Sequence, residues 1–158
     1  MKGFLLAFDT EIPKEEAETI KKGIESGVKE FPNLEISLNN ELDLQNFLVK
    51  SRLRAYSGEE LHSLAGALRS FFPWYKIIGV FLNGVLYSYA DEGEQPSLSY
   101  VHPVHRTFSI SCYRFDNYSR LHVEEKDYLN RIVENALHWT KYLLLGPSYE
   151  NYPKNQKL

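Results

Sequence analysis

The spacing of apolar residues changes along the chain, and each change marks an element. Gly3 to Phe8 is a short, almost purely apolar run that stops at Asp9-Thr10-Glu11, as expected of a strand buried on both faces. Pro13 then suits a helix's first turn, and Glu15, Glu16 and Glu18 sit where the helix dipole is positive. Ala17, Ile20, Ile24, Val28 and Phe31 recur at helical spacing with Lys and Glu between them, which predicts an amphipathic helix of about 17 residues stopped by Phe31-Pro32-Asn33. Leu34, Ile36 and Leu38 alternate with polar neighbours, predicting a strand with one solvated face, and Asn39-Asn40 reads as a turn. Residues 41–56 fit either a short helix or an irregular packed loop. Ser57 or Gly58 opens a second helix whose apolar stripe is Leu61, Leu64, Ala65 and Leu68 and whose end is Phe71-Phe72-Pro73.

Ile77 to Leu82 is β-branched, aromatic and uncharged, the pattern of a central strand. Asn83-Gly84 is a turn signal, with a further strand over Val85 to Tyr89. Asp91 to Pro96 reads as a loop, Ser97 to Val101 as a short edge strand, and Thr107 to Tyr113 as its neighbour. The last helix covers about 124–145, with Leu129, Ile132, Val133, Ala136, Leu137, Leu143 and Leu144 toward the core and Gly146 at its end. Residues 147–158 form a polar, tyrosine-bearing tail, only partly ordered. The order β–α–β–α–β–β–β–α predicts an α/β single domain over 1–158: a mixed twisted sheet with an antiparallel edge strand and about three main helices.

Composition narrows the function classes. At 158 residues a single domain buries roughly 70% of its unfolded surface, so neither metal nor disulfide is needed for stability. A net charge of −3 and the lack of any basic run argue against nucleic acid as a partner. The single cysteine, Cys112, rules out an internal disulfide or a multi-cysteine metal site and reads as a buried thiol on a strand. The apolar N-terminal run meets acidic residues too soon for a signal peptide or membrane span. The expected location is the cytoplasm, with no membrane association.

Candidate chemistry concentrates on histidines. Glu134, His138 and Tyr142 are spaced i, i+4, i+8 on the last helix and so share a face. They read either as an acid–base relay or as a histidine bonded to its helical neighbours, and no nucleophile or oxyanion donor accompanies them. His102-Pro103-Val104-His105 has a metal-like spacing, but on extended chain i and i+3 point to opposite faces, so a turn pair is the plainer reading. A relocated metal site built from His138 with His102 or His105 stays open as the alternative. His62 lies off its helix's apolar stripe and reads as solvated or locally bonded, and His122 falls in the spacer before the last helix. Ser109, Ser111 and Ser148 have no nucleophile-elbow context. Tyrosines crowd the second half of the chain, at the margin of an edge strand able to accept a partner's strand.

Ile110-Ser111-Cys112-Tyr113-Arg114-Phe115, an acidic spacer, and then Arg131 to His138 resemble the archaemetzincins. In these zinc-dependent peptidases a strand ending Ser-Leu-x-Arg-Leu leads to a helix carrying His-Glu-x-x-His. Arg54-Ala55-Tyr56, Ile77-Ile78-Gly79-Val80 and Leu86-Tyr87 are similar to upstream segments of the same family. The resemblance implies a zincin-like fold and a zinc peptidase active site. Aligned on His138, however, the general-base glutamate is Trp139, the second histidine is Tyr142 and the third is Ser148, while Leu145 or Gly146 stands at the turn glycine. The cysteine-rich tail that holds a second zinc in the family is absent. A zincin needs two histidines at i and i+4, a third ligand and a base, so no zinc is expected on the remnant positions His138, Trp139, Tyr142 and Ser148. The expected function is a non-catalytic archaemetzincin-like protein, a pseudo-peptidase, that binds a peptide or protein through edge strand 97–101, with homodimerisation as one form of this. The rival is an enzyme: a peptidase with a rebuilt metal site, or a metal-free hydrolase using His138 and Glu134.

Overall fold

The computed structural model describes residues 3–49, 52–90, 93–112 and 125–146. The expectations placed on Tyr113, His122, Ser148 and the tail from residue 147 lie outside the described residues. Strands β1 (Phe4–Asp9) and β4 (Ile77–Leu82) are buried at all six positions of each, as their uninterrupted apolar runs require. They form the centre of a five-stranded sheet ordered β2 (Ile36–Leu42), β1, β4, β8 (Thr107–Ser111), β7 (Ser99–His102). The first four strands run parallel and β7 is antiparallel to β8. With helices α1 (Lys14–Gly27), α2 (Gly58–Phe71) and α3 (Glu125–Leu145), this is the mixed α/β architecture with an antiparallel edge strand that the sequence predicts. Among the described residues no helix is long and apolar enough to cross a membrane.

The period of two along β1 divides the core. Phe4, Leu6 and Phe8 pack with Ile20 and Ile24 of α1 and with Ile132, Ala136 and Trp139 of α3. Leu5 and Ala7 face the other way, onto Leu61, Leu64 and Leu68 of α2. A right-handed crossover from β1 out to β2 and another back to β4 must put their helices on opposite faces, which explains why α2 stands apart from α1 and α3. On the shared face α1 and α3 approach closely at glycines. A Cβ on Gly23 would lie 2.9 Å from Val133 Cγ2, and one on Gly27 would collide with the Leu137 side chain.

Several local expectations are corrected. Helix α1 ends at Gly27, short of Phe31, because a residue before proline is pushed out of helical geometry and the chain leaves the helix a turn earlier. Asn39-Asn40 is no turn: β2 runs through it, with Asn39 opposite Ala7, and pairing with β1 overrides the local turn preference. The ambiguous stretch supplies a tight turn burying Leu44 and Gln45 and then a two-residue strand, β3 (Ala55–Tyr56). Asn83-Gly84 joins no hairpin, since β4 and β5 (Val85–Ala90) belong to different sheets. Gly84 permits that crossing: a Cβ there would lie 3.1 Å from the Arg54 carbonyl oxygen. The expected loop 91–96 contains most of β6 (Gly93–Ser97), antiparallel to β5 with Pro96 opposite Tyr87. Proline is tolerated there because β6 is the edge of its three-stranded sheet. The edge strand expected at 97–101 is therefore split at Leu98, between β6 and β7.

Gly79, in the middle of β4, tests this packing. A Cβ there would lie 2.6 Å from Phe108 Cζ, so Gly79→Ala overpacks the core and should cost about 1–3 kcal/mol in urea unfolding. An unchanged midpoint would refute the packing described for Phe108.

Candidate functional site

The face of α3 that carries the candidate residues closes onto edge strand β7. Trp139 donates its indole N–H to Ser99 Oγ at 2.8 Å, and the Ser99 hydroxyl donates to Asn135 Oδ1 at 3.1 Å. Asn135 Nδ2 in turn donates to the Arg131 carbonyl at 2.9 Å, one helical turn back. Trp139, Ser99 and Asn135 are all buried, so this polar chain runs inside the seam between helix and sheet. The Trp139 ring meets the His138 ring edge-on at 4.6 Å and the Tyr142 ring at 5.6 Å. His138 is buried, and burial lowers its pKa, which keeps the imidazole neutral at neutral pH. Glu134, the other member of the candidate relay, is exposed. Beside the seam is a cavity of about 10 Å³ among Leu98, Ile110, Tyr128, Ile132 and Asn135, room for one water. Cys112 is the buried thiol expected, and its carbonyl accepts from the Tyr128 hydroxyl.

A second polar cluster, not anticipated from sequence, lies at the carboxyl ends of β1 and β4, where the strand order reverses. Open α/β sheets commonly bind ligands there. Asp9 is fully buried and accepts from Gln45 Nε2 at 2.8 Å and from the Glu11 backbone N–H at 3.2 Å. Gln45 Nε2 also reaches the Asn83 carbonyl at 3.1 Å, and Gln45 Oε1 accepts from the Arg54 N–H at 3.2 Å. Outside them Glu11 takes Arg54 at 2.6 Å and Asn83 Nδ2 at 2.9 Å. Burial raises the Asp9 pKa, and the Gln45 and Glu11 hydrogen bonds only partly offset it. The one sequence signal was the placement of Asp9 directly at the end of an apolar strand.

The remaining histidines fall elsewhere. His102 ends β7, and Pro103–His105 forms a 3-10 turn closed by Arg106 at φ 50°. Alternation along β7 points Ser99 and Val101 toward α3 but Tyr100 and His102 toward α2. His102 and His105 therefore meet His62 of α2 and are not brought together with His138. Among the described residues no three His, Cys, Asp or Glu side chains stand as a ready metal cage.

No family model and no curated protein matches the chain. Among solved structures, a zinc-dependent peptidase from Methanocorpusculum labreanum (strain Z) superposes with a TM-score of 0.68 over 97% of this chain and 90% of that one, at 15% identity. At that identity the likeness shows that the two proteins share a fold.

Two substitutions probe the two clusters. Trp139→Phe removes the buried N–H and part of the ring, and should cost about 1–3 kcal/mol in chemical denaturation; a change within error would refute the seam. For Asp9 the folded-state pKa is raised above its ordinary value of 3.8. Its contribution is thus fully present below that pH and is lost as pH rises through the folded-state value. Asp9→Asn should therefore gain stability relative to wild type as pH rises from acid to neutral, followed by urea unfolding across a pH series. A variant-minus-wild-type stability that stays flat or falls as pH rises would contradict it.

Proposed function

We propose that this chain is a zincin-fold protein without peptidase chemistry, a pseudo-peptidase that acts by binding a peptide or protein partner. The observation that carries this is Trp139. At the position that the resemblance assigns to the general base stands an indole, buried and hydrogen-bonded to Ser99 at 2.8 Å. A general base must present a lone pair to a substrate water; an indole N–H has none to offer.

The donor set does not fit a catalytic zinc. Of the ligand positions on α3, residue 138 is an imidazole and residue 142 a phenol, a poor zinc ligand beside the imidazoles, thiolates and carboxylates such sites use. Catalytic zinc sites use three protein ligands, and the two rings flanking Trp139 come to only one good donor. The metal-free relay has no better support, because Glu134 faces solvent while His138 is inside.

Binding, in this reading, uses the edge of the sheet. Strand β7 pairs with β8 on one side only in the five-stranded sheet. In this reading an extended peptide, or the same strand of a second copy, adds to the sheet beside β7 by backbone pairing.

Incubation with a mixed peptide library, with and without chelator, should yield no cleavage in either case. Chelator-sensitive cleavage abolished by His138→Ala overturns the proposal, as does stoichiometric zinc that is lost on the same substitution.

A further inference from the structure

The five-stranded sheet has a second edge, opposite β7. Among the described residues β2 pairs with β1 alone. Ser37 and Asn39 are in register with Leu5 and Ala7, so they share the α2 side of the sheet. Leu5 and Ala7 lie under α2, but Ser37 and Glu41 are exposed. A groove of about 300 Å³ runs there, lined by Leu5, by Ser37, Asn39 and Glu41 of β2, and by Phe72 and Tyr75 beyond the end of α2. Glu35, whose carbonyl accepts from the Phe4 N–H at 2.7 Å, continues the same face one step before the strand.

The aromatic side of the groove continues onto the surface. The Phe72 ring centre lies 6.2 Å from that of Tyr75, 6.1 Å from that of Trp74 and 5.2 Å from that of Phe71. Trp74 is 59% exposed and Phe71 62%, and contiguous apolar surface of this kind marks interaction sites. The charge beside it has one sign. Glu35, Glu41 and, just past β2, Asp43 are all exposed. Among the described residues no basic side chain lines the groove. Arg69 spends its guanidinium on the carbonyls of Phe72, Tyr75, His105 and Arg106, and Lys76 lines a different groove, with Gly3 and Leu144.

We propose that the β2 edge docks an extended, basic peptide segment of a partner protein, which adds beside β2 and sets Lys or Arg against Glu35 and Glu41. The groove has the shape for it: residues 37 to 41 line it in succession, a slot about 13 Å long at the rise of a strand. It also has the charge. Opposite charges on neighbouring strands stabilise their pairing and like charges oppose it. A cation on the incoming strand gains further from the faces of Tyr75 and its neighbour Trp74. A second copy of this chain is the poorer occupant, because antiparallel self-pairing centred on Leu38 sets Glu35 directly against Glu41. This surface is at the far edge of the sheet from β7 and does not rest on the pseudo-peptidase reading.

The test is fluorescence polarisation of a labelled peptide of alternating Arg and Val, matched to the 7 residues of β2, titrated with the full-length protein. A counterpart with Glu in place of Arg is the control. Wild type should bind the Arg peptide saturably, about tenfold or more tighter than the Glu peptide, and more weakly as salt is added. The double variant Glu35→Lys/Glu41→Lys should weaken binding about tenfold or more, and Trp74→Ala about two- to fivefold. All three positions are exposed, so the urea midpoints of these variants should stay at the wild-type value. No saturable binding up to about 1 mM peptide, equal affinity for the two peptides, or wild-type affinity in both variants overturns the proposal. Sedimentation showing a dimer that the double variant dissolves assigns the edge to a second copy and overturns it as well. Each of these outcomes leaves the reading of Trp139 untouched.

Discussion

An indole N–H sealed from water must find an acceptor, and the acceptor found by Trp139 decides what the α3–β7 seam is. Ser99 Oγ accepts from Trp139 and spends its own proton on Asn135. Each buried group in the chain is thus used by its neighbour, and a partly satisfied version would be costlier than an apolar contact. Peptide hydrolysis asks the opposite of such a position. A lone pair must face open space and a water must be held beside it. The seam stabilises the fold by removing both, and the single-water cavity next to it is too small for a peptide.

The same logic applies at the carboxyl ends of the parallel strands. Asp9 sits where a doubly wound sheet normally opens to a ligand, yet Gln45 folds over it and takes one carboxylate oxygen, while the Glu11 N–H takes the other. The segment after β2 therefore acts as a plug, anchored through Gln45 to Asp9, Asn83 and Arg54. On the α2 face, among the described residues, His102 Nε2 is buried.

Elements whose pattern carries its own physics were legible from sequence. β1 and β4 are unbroken apolar runs because both faces are covered, and α2 shows a stripe, a capping box of Ser57 and Glu60, and a proline stop. Misread segments are those where pairing with a distant strand overrules a local turn preference: Asn39-Asn40 inside β2, Asn83-Gly84 between two sheets, and Gly93–Ser97 as β6. Residue 139 was legible as a bulky ring in a zinc-site position, but its bond to Ser99 depends on which face of β7 that serine occupies, a matter of register. The histidine cluster was hidden for the same reason. His62 and His102 are joined only by the fold, and nothing in the spacing along the chain links a helix to a strand end so far downstream.

The rotation of α3 is set from its other side. Gly23 and Gly27 of α1 leave hollows that receive Val133 and Leu137, and α3 could turn about its axis only by driving those side chains into the backbone of α1. Held there, residue 139 points at Ser99 whatever its identity. A glutamate at that position would meet a buried serine and asparagine. Its charge would be desolvated without a cation to compensate it. One chain of hydrogen bonds and two glycine seats therefore hold the helix in this arrangement, and a charge placed at residue 139 would lower stability.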